Sequence, residues 1–376
     1  MTSGEGAVLL TGTTGFVGME LLARYLERSR RPIVALVRAD GDDAAAARVQ
    51  AVLTNLFGAR AARYASRVEA IAADLTAPGL ALDQERRERL AQRVTKIVHS
   101  AASVSFTQPL AEAREINVEG TRRMLEFAQL AQRHGGLERY GHVSTAYVAG
   151  THAGRFAESD LDVGQSFHNA YEQSKFEAEQ LVRSHDGLPF TILRPSIVVG
   201  DRRSGWTAAF NVLYWPLRAF ARGLFEVVPA VESAPVDVVS IDYVADAIYS
   251  LCENSGEVGQ TYNLTAGANA STIGEIAGLA SRYFRRPLPK VLSPTEFAAL
   301  GSGVSSLQRS ALEGSQAYFP YFALGTVFDE AGARAQLDPA GIRVSPLGDY
   351  LERLLDFATR SRWGKRPIGR AEALLA

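Results

Sequence analysis

Short apolar runs alternate with segments of helical periodicity over the first 200 residues of the chain. Behind the first run, Leu21, Leu22 and Leu26 recur at the spacing of one helix face. The runs that have the length of strands lie at residues 7–10, 32–37, 68–73, 96–99, 139–145 and 190–194. Strands that alternate with helices in this way predict an α/β fold with a doubly wound, largely parallel sheet.

After Gly200 the pattern becomes less regular. Residues 206–225 are rich in aromatic and apolar side chains, and the last hundred residues contain further helical segments. Two more strands, at 236–239 and 261–264, flank a predicted helix at 242–254. We therefore expect a first domain over residues 1–200, to which strands at about 232–267 return, and a smaller C-terminal substrate lobe formed mainly by residues 201–376.

The composition excludes several classes of protein but does not assign a function. Hydrophobic residues make up 47% of the chain and charged residues 22%, which is typical of a globular protein. The net charge of −1 gives no argument for nucleic-acid binding. The sequence has no apolar run long enough to span a membrane and no signal-peptide pattern, so we expect a cytoplasmic protein. One cysteine excludes an internal disulfide, and the six histidines have no metal-ligand spacing, so no metal is expected.

A glycine-rich turn links the first strand to the first helix. Gly12, Gly15 and Gly18 are placed for a tight turn, for close approach of the backbone to a pyrophosphate, and for helix packing. The spacing is G-x-x-G-x-x-G, one residue longer than the more familiar form. Packing alone is the alternative role of such a turn. The strand before it and the helix after it, whose N-terminus attracts phosphate, favour a Rossmann dinucleotide site.

The end of the second strand bears on the choice of cofactor. Arg38 stands about 20 residues beyond the turn, where an acid would bind the ribose of NAD. Its guanidinium suits a 2′-phosphate, which favours NADPH, although a solvated arginine is the alternative and nearby aspartates at 40, 42 and 43 would oppose a phosphate. Asp74 ends the third strand, and small residues at 100–102 end the fourth, where a cofactor would lie.

Tyr171 and Lys175 are four residues apart, on one face of a predicted helix. In most helices, a tyrosine and a lysine at this spacing are a packed tyrosine beside a solvated lysine, with no catalytic role. After a glycine turn the same spacing indicates a nicotinamide-dependent reductase, because the ammonium would lower the pKa of the phenol toward neutrality and make it a proton donor. Ser144 and Thr145 end the preceding strand on opposite faces, so only one hydroxyl should face the nicotinamide.

Several motifs resemble those of extended short-chain dehydrogenase/reductases. They are Thr11-Gly12-x-x-Gly15-Phe16-x-Gly18, Asp74-Leu75, Asn117-Val118-Glu119-Gly120-Thr121, Tyr171-x-x-x-Lys175 and Arg194-Pro195-Ser196-Ile197-Val198-Val199-Gly200. The phrases at 36–38, 99–106, 142–148 and 236–247 are similar to the branch that holds fatty acyl-CoA reductases and the terminal thioester-reductase domains of carboxylic acid reductases and peptide synthetases. The likeness extends from residue 7 to about residue 267, and the last hundred residues match less clearly.

The resemblance implies an NADPH-dependent reductase of an acyl thioester, carried on CoA or on the phosphopantetheine arm of a carrier protein, with aldehyde or alcohol as product. It implies that Thr145, Tyr171 and Lys175 form the catalytic triad. The residues that it implies for the cofactor are Thr11, Gly12, Thr14, Gly15, Phe16, Val17, Gly18, Arg38, Asp74, Leu75, Ser100, Ala101, Ala102, Asn117, Tyr171, Lys175, Pro195, Ser196 and Ile197.

The single thiol bears on the mechanism. Cys252 lies in an apolar helical pattern remote from the triad, so we expect a buried structural cysteine and direct hydride transfer to the thioester. An acyl channel could use the aromatic residues around Trp206, Tyr214, Trp215 and Phe220, or those at 318–322, although such stripes more often form core. Arg202, Arg203, Arg218 and Arg222 could meet phosphates of CoA, with solvated arginines as the alternative.

Two other functions are compatible with the same cofactor half. One is a sugar-nucleotide epimerase or dehydratase, or a hydroxysteroid-type dehydrogenase. The other is a regulator that binds NADP without turnover, against which the complete set of Thr145, Tyr171 and Lys175 argues, because a sensor needs no proton donor.

Overall fold

The computed structural model describes residues 6–253, 257–299 and 316–375. Its strands are β1 (Ala7–Thr11), β2 (Ile33–Val37), β3 (Val68–Ala72), β4 (Val94–His99), β5 (Arg139–Val143), β6 (Gly154–Phe156), β7 (Phe190–Pro195), β8 (Ile197–Val199), β9 (Val227–Pro229), β10 (Pro235–Val236), β11 (Val238–Ser240), β12 (Gln260–Leu264), β13 (Ser271–Thr272), β14 (Lys290–Leu292) and β15 (Thr326–Phe328).

The α-helices follow in the same chain order. They are α1 (Phe16–Arg28), α2 (Asp42–Phe57), α3 (Ala62–Ala65), α4 (Gln84–Ala91), α5 (Leu110–Arg114), α6 (Gly120–His134), α7 (Ala170–Arg183), α8 (Tyr214–Ala221), α9 (Ile241–Glu253), α10 (Ile273–Phe284), α11 (Pro294–Ala299), α12 (Ala331–Leu337), α13 (Leu351–Arg360) and α14 (Arg370–Ala373).

Seven parallel strands form the central sheet in the order β12-β7-β5-β4-β1-β2-β3. The strand order reverses direction between β1 and β4, and a crevice opens at such a switch point beyond the carboxyl ends of the strands. Helices cover both faces of the sheet, and strands such as β1, β2 and β5 are buried along their whole length. The predicted doubly wound α/β fold is therefore confirmed, and the six strands predicted in the first 200 residues all lie in this sheet.

The strands of the segment at 232–267 join different sheets. β12 returns to the central sheet and pairs with β7. The run predicted as one strand at 236–239 is divided into β10, which pairs with β13, and β11, which pairs with β8. Asp237 lies at the division, and its buried carboxylate accepts the backbone N–H groups of Ala266 and Gly267, both at 2.8 Å. The division of the chain into two domains stays a prediction.

The aromatic segment at 206–225 contains one regular helix, α8. Tyr214, Leu217 and Phe220 of this helix are buried in a core that also includes Leu351, Leu354 and Leu355 of α13. The predicted helix at 242–254 is α9, and residue 254 lies outside the described residues. No helix within the described ranges combines the length and apolar character that a membrane crossing needs.

Candidate active site

A cavity of about 800 Å³ lies at the carboxyl ends of the central strands. It extends from the glycine turn after β1, past the ends of β2, β4 and β5, to Tyr318 and Tyr321 in the C-terminal part of the chain. The cavity has the size of a cofactor and substrate site, and it lies where ligands bind in doubly wound sheets.

The glycine turn is packed so closely that side chains would not fit. Gly12 has a φ of 75°, and a Cβ there would lie 2.8 Å from backbone atoms of Ser100 and Ala101. A Cβ on Gly18 would lie 2.1 Å from the carbonyl oxygen of Gly12. Because only glycine permits this turn, its backbone borders the cavity directly, and α1 begins there with its N-terminus facing inward.

Hydrogen bonds fix the turn against the end of β4. The hydroxyl oxygen of Thr11 accepts the N–H groups of Ser100 and Ala101, each at 3.1 Å, and lies 2.8 Å from Nδ1 of His99. The hydroxyl of Ser100 donates to the carbonyl of Thr11 at 2.7 Å. Ser100 and Ala101 therefore lie against the glycine turn.

Two arginines border the cavity beyond β2. Arg38 was predicted there, whereas Arg48 of α2 was missed. The guanidinium of Arg48 donates to the carbonyl of Arg38 and, at 3.3 Å, to the hydroxyl of Thr14. The sequence could have indicated Arg48, because it lies on the helix that follows β2 and the first turns of that helix lie beside the end of the strand.

Two acidic groups near these arginines, Asp42 and Asp74, have hydrogen-bond partners of their own. Asp42 accepts the N–H of Ala72 at 2.8 Å and pairs with Arg86 at 2.7 Å. The carboxylate of Asp74 accepts the N–H of Thr76, which lowers its pKa, with smaller contributions from Arg38 and Arg123. Asp74 lines the cavity, whereas Asp42 does not.

Thr145, Tyr171 and Lys175 meet where β5 ends and α7 begins. The side chain of Asn169 caps α7 by accepting the N–H of Glu172 at 3.0 Å, which places Tyr171 in the first turn. The Thr145 hydroxyl lies beside the Tyr171 phenol, close enough to lower the pKa of that phenol. The ammonium of Lys175 is buried and donates to the carbonyl of Val143 at 2.8 Å. All three residues line the cavity.

The pKa of Tyr171 differs from the prediction. Burial raises it to about 12, and the hydrogen bond from Thr145 acts in the opposite direction. The expectation that Lys175 lowers this pKa toward neutrality is wrong for this structure, because desolvation dominates and the ammonium is bonded to Val143. Burial lowers the pKa of Lys175 itself to about 8, opposed by the charge of Glu179. At neutral pH the phenol is protonated, so it can still donate a proton.

Ser144 and Thr145 point to different partners. The hydroxyl of Ser144 donates to Glu179 at 2.8 Å, and Arg194 binds the same carboxylate at 2.6 Å. The side chains of Glu179 and Arg194 have no exposed surface. Sequence reasoning missed Glu179, although it lies four residues beyond Lys175 on the same helix. The hydroxyl beside Tyr171 is therefore that of Thr145.

Asn117 is the one residue implied for the cofactor that does not line the cavity. Its amide accepts the N–H of Ser103 at 2.7 Å, and donates to the carbonyl of Ser103 at 3.0 Å and to the hydroxyl of Ser174 at 2.9 Å. It lies behind the loop at 100–107 and ties that loop to α7. All the other residues implied for the cofactor and the triad line the cavity.

The aromatic residues proposed for an acyl channel separate into two groups. Tyr318 and Tyr321 line the cavity, together with Phe106 and Tyr147. Trp206, by contrast, is buried in the core, and its Nε1–H donates to the carbonyl of Ile368 at 3.1 Å. Tyr214, Trp215 and Phe220 do not line the cavity either.

The proposed phosphate-binding arginines also lie away from this cavity. Arg202 pairs with Asp242 at 2.8 Å and borders a separate, smaller cavity with Arg203 and Arg353. Arg218 and Arg222 line neither cavity.

Cys252 is buried in α9 against β5, where a Cβ on Gly141 would lie 2.6 Å from its Sγ. Burial raises the pKa of the thiol to about 12. A protonated, enclosed thiol that does not line the cavity has no access to a substrate there. Within the described ranges, no group of His, Cys, Asp or Glu side chains is placed to hold a metal ion.

Comparison with known proteins gives matches over most of the chain. The family model described as male sterility protein matches residues 10–248. Among solved structures, the terminal R domain from the myxalamid PKS-NRPS biosynthetic pathway is 28% identical, with a TM-score of 0.82, over 98% of this chain and 94% of that domain.

Two curated relatives each match more than half of the chain. The isonitrile lipopeptide synthase of Streptomyces coeruleorubidus is 36% identical over 56% of this chain and 14% of its own length. The carboxylic acid reductase of Mycobacterium marinum is 29% identical over 68% of this chain and 24% of its own length. The matched region is thus a quarter or less of each of these relatives.

Proposed function

The chain belongs to the male sterility protein family, and from this premise we propose that it reduces an acyl thioester to an aldehyde with NADPH. The observation that carries the proposal is that the hydroxyls of Thr145 and Tyr171 lie side by side at the border of one cavity, which the glycine turn also lines. Two hydroxyl donors beside a nicotinamide site are the arrangement that stabilises a carbonyl oxygen during reduction.

The residues present fit a nicotinamide dinucleotide phosphate. The turn at Gly12–Gly18 packs so closely that a Cβ on Gly12 or Gly18 would meet neighbouring backbone atoms, and the bare backbone of the turn lines the cavity before the N-terminus of α1. Arg38 and Arg48 would hold the 2′-phosphate, since both border the cavity at the end of β2. When bound, the cofactor supplies the hydride.

The side chains of the triad have separable roles. Thr145 and Tyr171 would donate hydrogen bonds to the thioester carbonyl oxygen and stabilise the negative charge that develops on it. Tyr171, whose pKa is raised to about 12, would then provide the proton. The ammonium of Lys175 supplies positive charge beneath this site, held in place by the carbonyl of Val143. The resulting hemithioacetal collapses to aldehyde and free thiol.

No acyl-enzyme is needed for this chemistry. Cys252 is buried and protonated, and it lies outside the cavity, so the thioester carbonyl would be reduced directly. The thiol that leaves belongs to CoA or to the phosphopantetheine arm of a carrier protein.

The proposal is tested by measuring NADPH oxidation against acyl-CoAs, carrier-loaded acyl groups and free aldehydes, with the products identified by mass. We expect aldehyde and thiol from the thioesters, and turnover of aldehydes would show whether reduction continues to the alcohol. Absence of thiol release from every thioester, together with turnover of a nucleotide sugar, would refute the proposal in favour of an epimerase or dehydratase.

A further inference from the structure

The charged residues that line the cavity are distributed unevenly. Among the described lining residues, the charged ones are Arg38, Arg48, Asp74 and Lys175. The first three lie at the cofactor end, beyond β2 and β3, and the fourth lies beneath Tyr171. The opposite end is lined by apolar, aromatic and small polar side chains.

Four aromatic rings form a continuous wall at this opposite end. Phe106 stacks on Tyr171 with ring centroids 5.7 Å apart, and on Tyr321 with centroids 5.5 Å apart. Tyr318 meets the edge of Phe106 at 5.7 Å, and Tyr147 meets Tyr321 at 4.9 Å in an edge-to-face contact. We call Phe106, Tyr147, Tyr318 and Tyr321 the aromatic wall. It begins at the proton donor, so it lies beside the carbonyl of any substrate that reaches Tyr171.

Tyr321 is held in place by a buried carboxylate on the catalytic helix. Its hydroxyl donates to Glu172, the residue after Tyr171, and accepts from Nδ2 of Asn169 at 2.9 Å. The other oxygen of Glu172 accepts the N–H of His168 at 2.9 Å and lies 3.0 Å from its Nδ1. The Glu172 side chain has no exposed surface and does not line the cavity, so it is not available to a substrate.

We propose that the aromatic wall is an acyl subsite for uncharged aromatic or aliphatic acyl groups, and that Tyr321, held by Glu172, positions it. This inference rests on the proposed thioester reduction. Apolar acyl chains gain from burial against aromatic rings. An acyl group with a charge near the carbonyl would lose its hydration without meeting an opposite charge among the described lining residues of this end, which is strongly unfavourable.

Thioesters of N-acetylcysteamine test the acyl subsite without CoA or a carrier protein. We would compare kcat/KM for 3-phenylpropanoyl and hexanoyl thioesters with that for glutaryl and 4-trimethylammoniobutanoyl thioesters. We expect the uncharged pair to be favoured by about 100-fold or more, as desolvation of an unpaired charge implies. Equal or better kcat/KM for either charged thioester would overturn the inference.

Variants distinguish the loss of the acyl subsite from a general loss of stability. Phe106→Leu should lower the preference for phenylpropanoyl over hexanoyl, because the stacking face is lost. Tyr321→Phe should raise KM for both uncharged thioesters by about tenfold with little change in kcat or cofactor affinity, as expected from losing one hydrogen bond to a charged group. Tyr283→Phe is the matched control, since its hydroxyl donates to Asp356 at 2.7 Å, away from the cavity. Unchanged selectivity in both wall variants, or equal effects of Tyr321→Phe and Tyr283→Phe, would contradict the assignment.

Binding without turnover distinguishes failure of the subsite from failure of the proposed reaction. Amide analogues of the same four compounds cannot release a thiol, and their affinity for the NADP⁺-loaded protein can be measured by calorimetry. Preferential binding of the uncharged amides supports the subsite, whether or not any thioester is reduced. If no thioester is reduced, the proposed reaction is refuted and the subsite is not. Preferential or equal binding of the charged amides refutes the subsite.

Discussion

Ser144 and Thr145 are adjacent, but removing their hydroxyls should affect different quantities. Loss of the Thr145 hydroxyl should mainly lower kcat, and loss of the Ser144 hydroxyl should mainly lower stability. Thr145→Val keeps the shape of the side chain and removes the hydroxyl that lies beside the Tyr171 phenol. Removing one donor that stabilises a developing oxyanion costs about 10²–10³-fold in kcat, or roughly 2.7–4 kcal/mol. Because Thr145 makes only long hydrogen bonds elsewhere, 3.3 Å to the N–H of Tyr147 and 3.4 Å to the carbonyl of Pro195, the loss of stability should be smaller.

Ser144→Ala should instead reduce stability. The Ser144 hydroxyl donates to Glu179 at 2.8 Å, and this carboxylate is fully buried against Arg194. Removing one partner from a buried charged group costs about 1.5–3 kcal/mol of the free energy of unfolding. The catalytic hydroxyl is untouched, so kcat at a temperature where the variant is folded should fall by less than about tenfold.

Both quantities can be measured on the same preparations. Urea unfolding gives the free energy of unfolding, and stopped-flow NADPH oxidation under single-turnover conditions gives the rate of the chemical step. The double variant should show nearly additive losses, since the two hydroxyls share no hydrogen-bond partner. A larger loss of rate in Ser144→Ala than in Thr145→Val would refute the assignment of Thr145 as the hydroxyl that faces the substrate.

The remaining predictions concern the cofactor and the proton donor. Arg38→Asp should weaken NADPH binding by roughly ten- to a hundred-fold and NADH binding much less, and equal losses in a titration would show that Arg38 does not contact the 2′-phosphate. Tyr171→Phe should slow hydride transfer by about 10²-fold or more with cofactor affinity retained, whereas Lys175→Ala should impair both. Burial lowers the pKa of Lys175 to about 8, so its charge is present below that pH and lost above it. In a pH profile kcat/KM should therefore decline through about pH 8, and Lys175→Arg should remove this decline.

Much of the fold could be predicted because strand and helix patterns alternate so regularly over the first 200 residues. The resemblance to the reductase branch is confirmed by the family model and by the R-domain structure. The pair of strands around Asp237 could not be predicted, because the run at 236–239 is continuously apolar except for that residue. Only the structure shows that its carboxylate binds the N–H groups of Ala266 and Gly267 and so separates β10 from β11.

Local spacing predicted that Tyr171 and Lys175 would share one face of a helix, but not how their environments would act. The distance of four residues between Tyr171 and Lys175 indicates one helix face, yet it contains no information on burial. Desolvation therefore reverses the expected pKa shift of the phenol. The contacts of Arg48, Glu179 and Tyr321 join distant parts of the chain, and no single sequence motif predicts them.

The most direct test of the account is the coupling of thiol release to hydride transfer. In a single turnover with NADPH and an acyl thioester, free thiol should appear in step with the first NADPH oxidised, and one aldehyde should form per thiol. Cys252→Ala should leave that rate nearly unchanged, because the thiol is buried in α9, outside the cavity. Thiol release that precedes NADPH oxidation, or that disappears in a folded Cys252→Ala variant, would show an acyl-enzyme and contradict direct reduction.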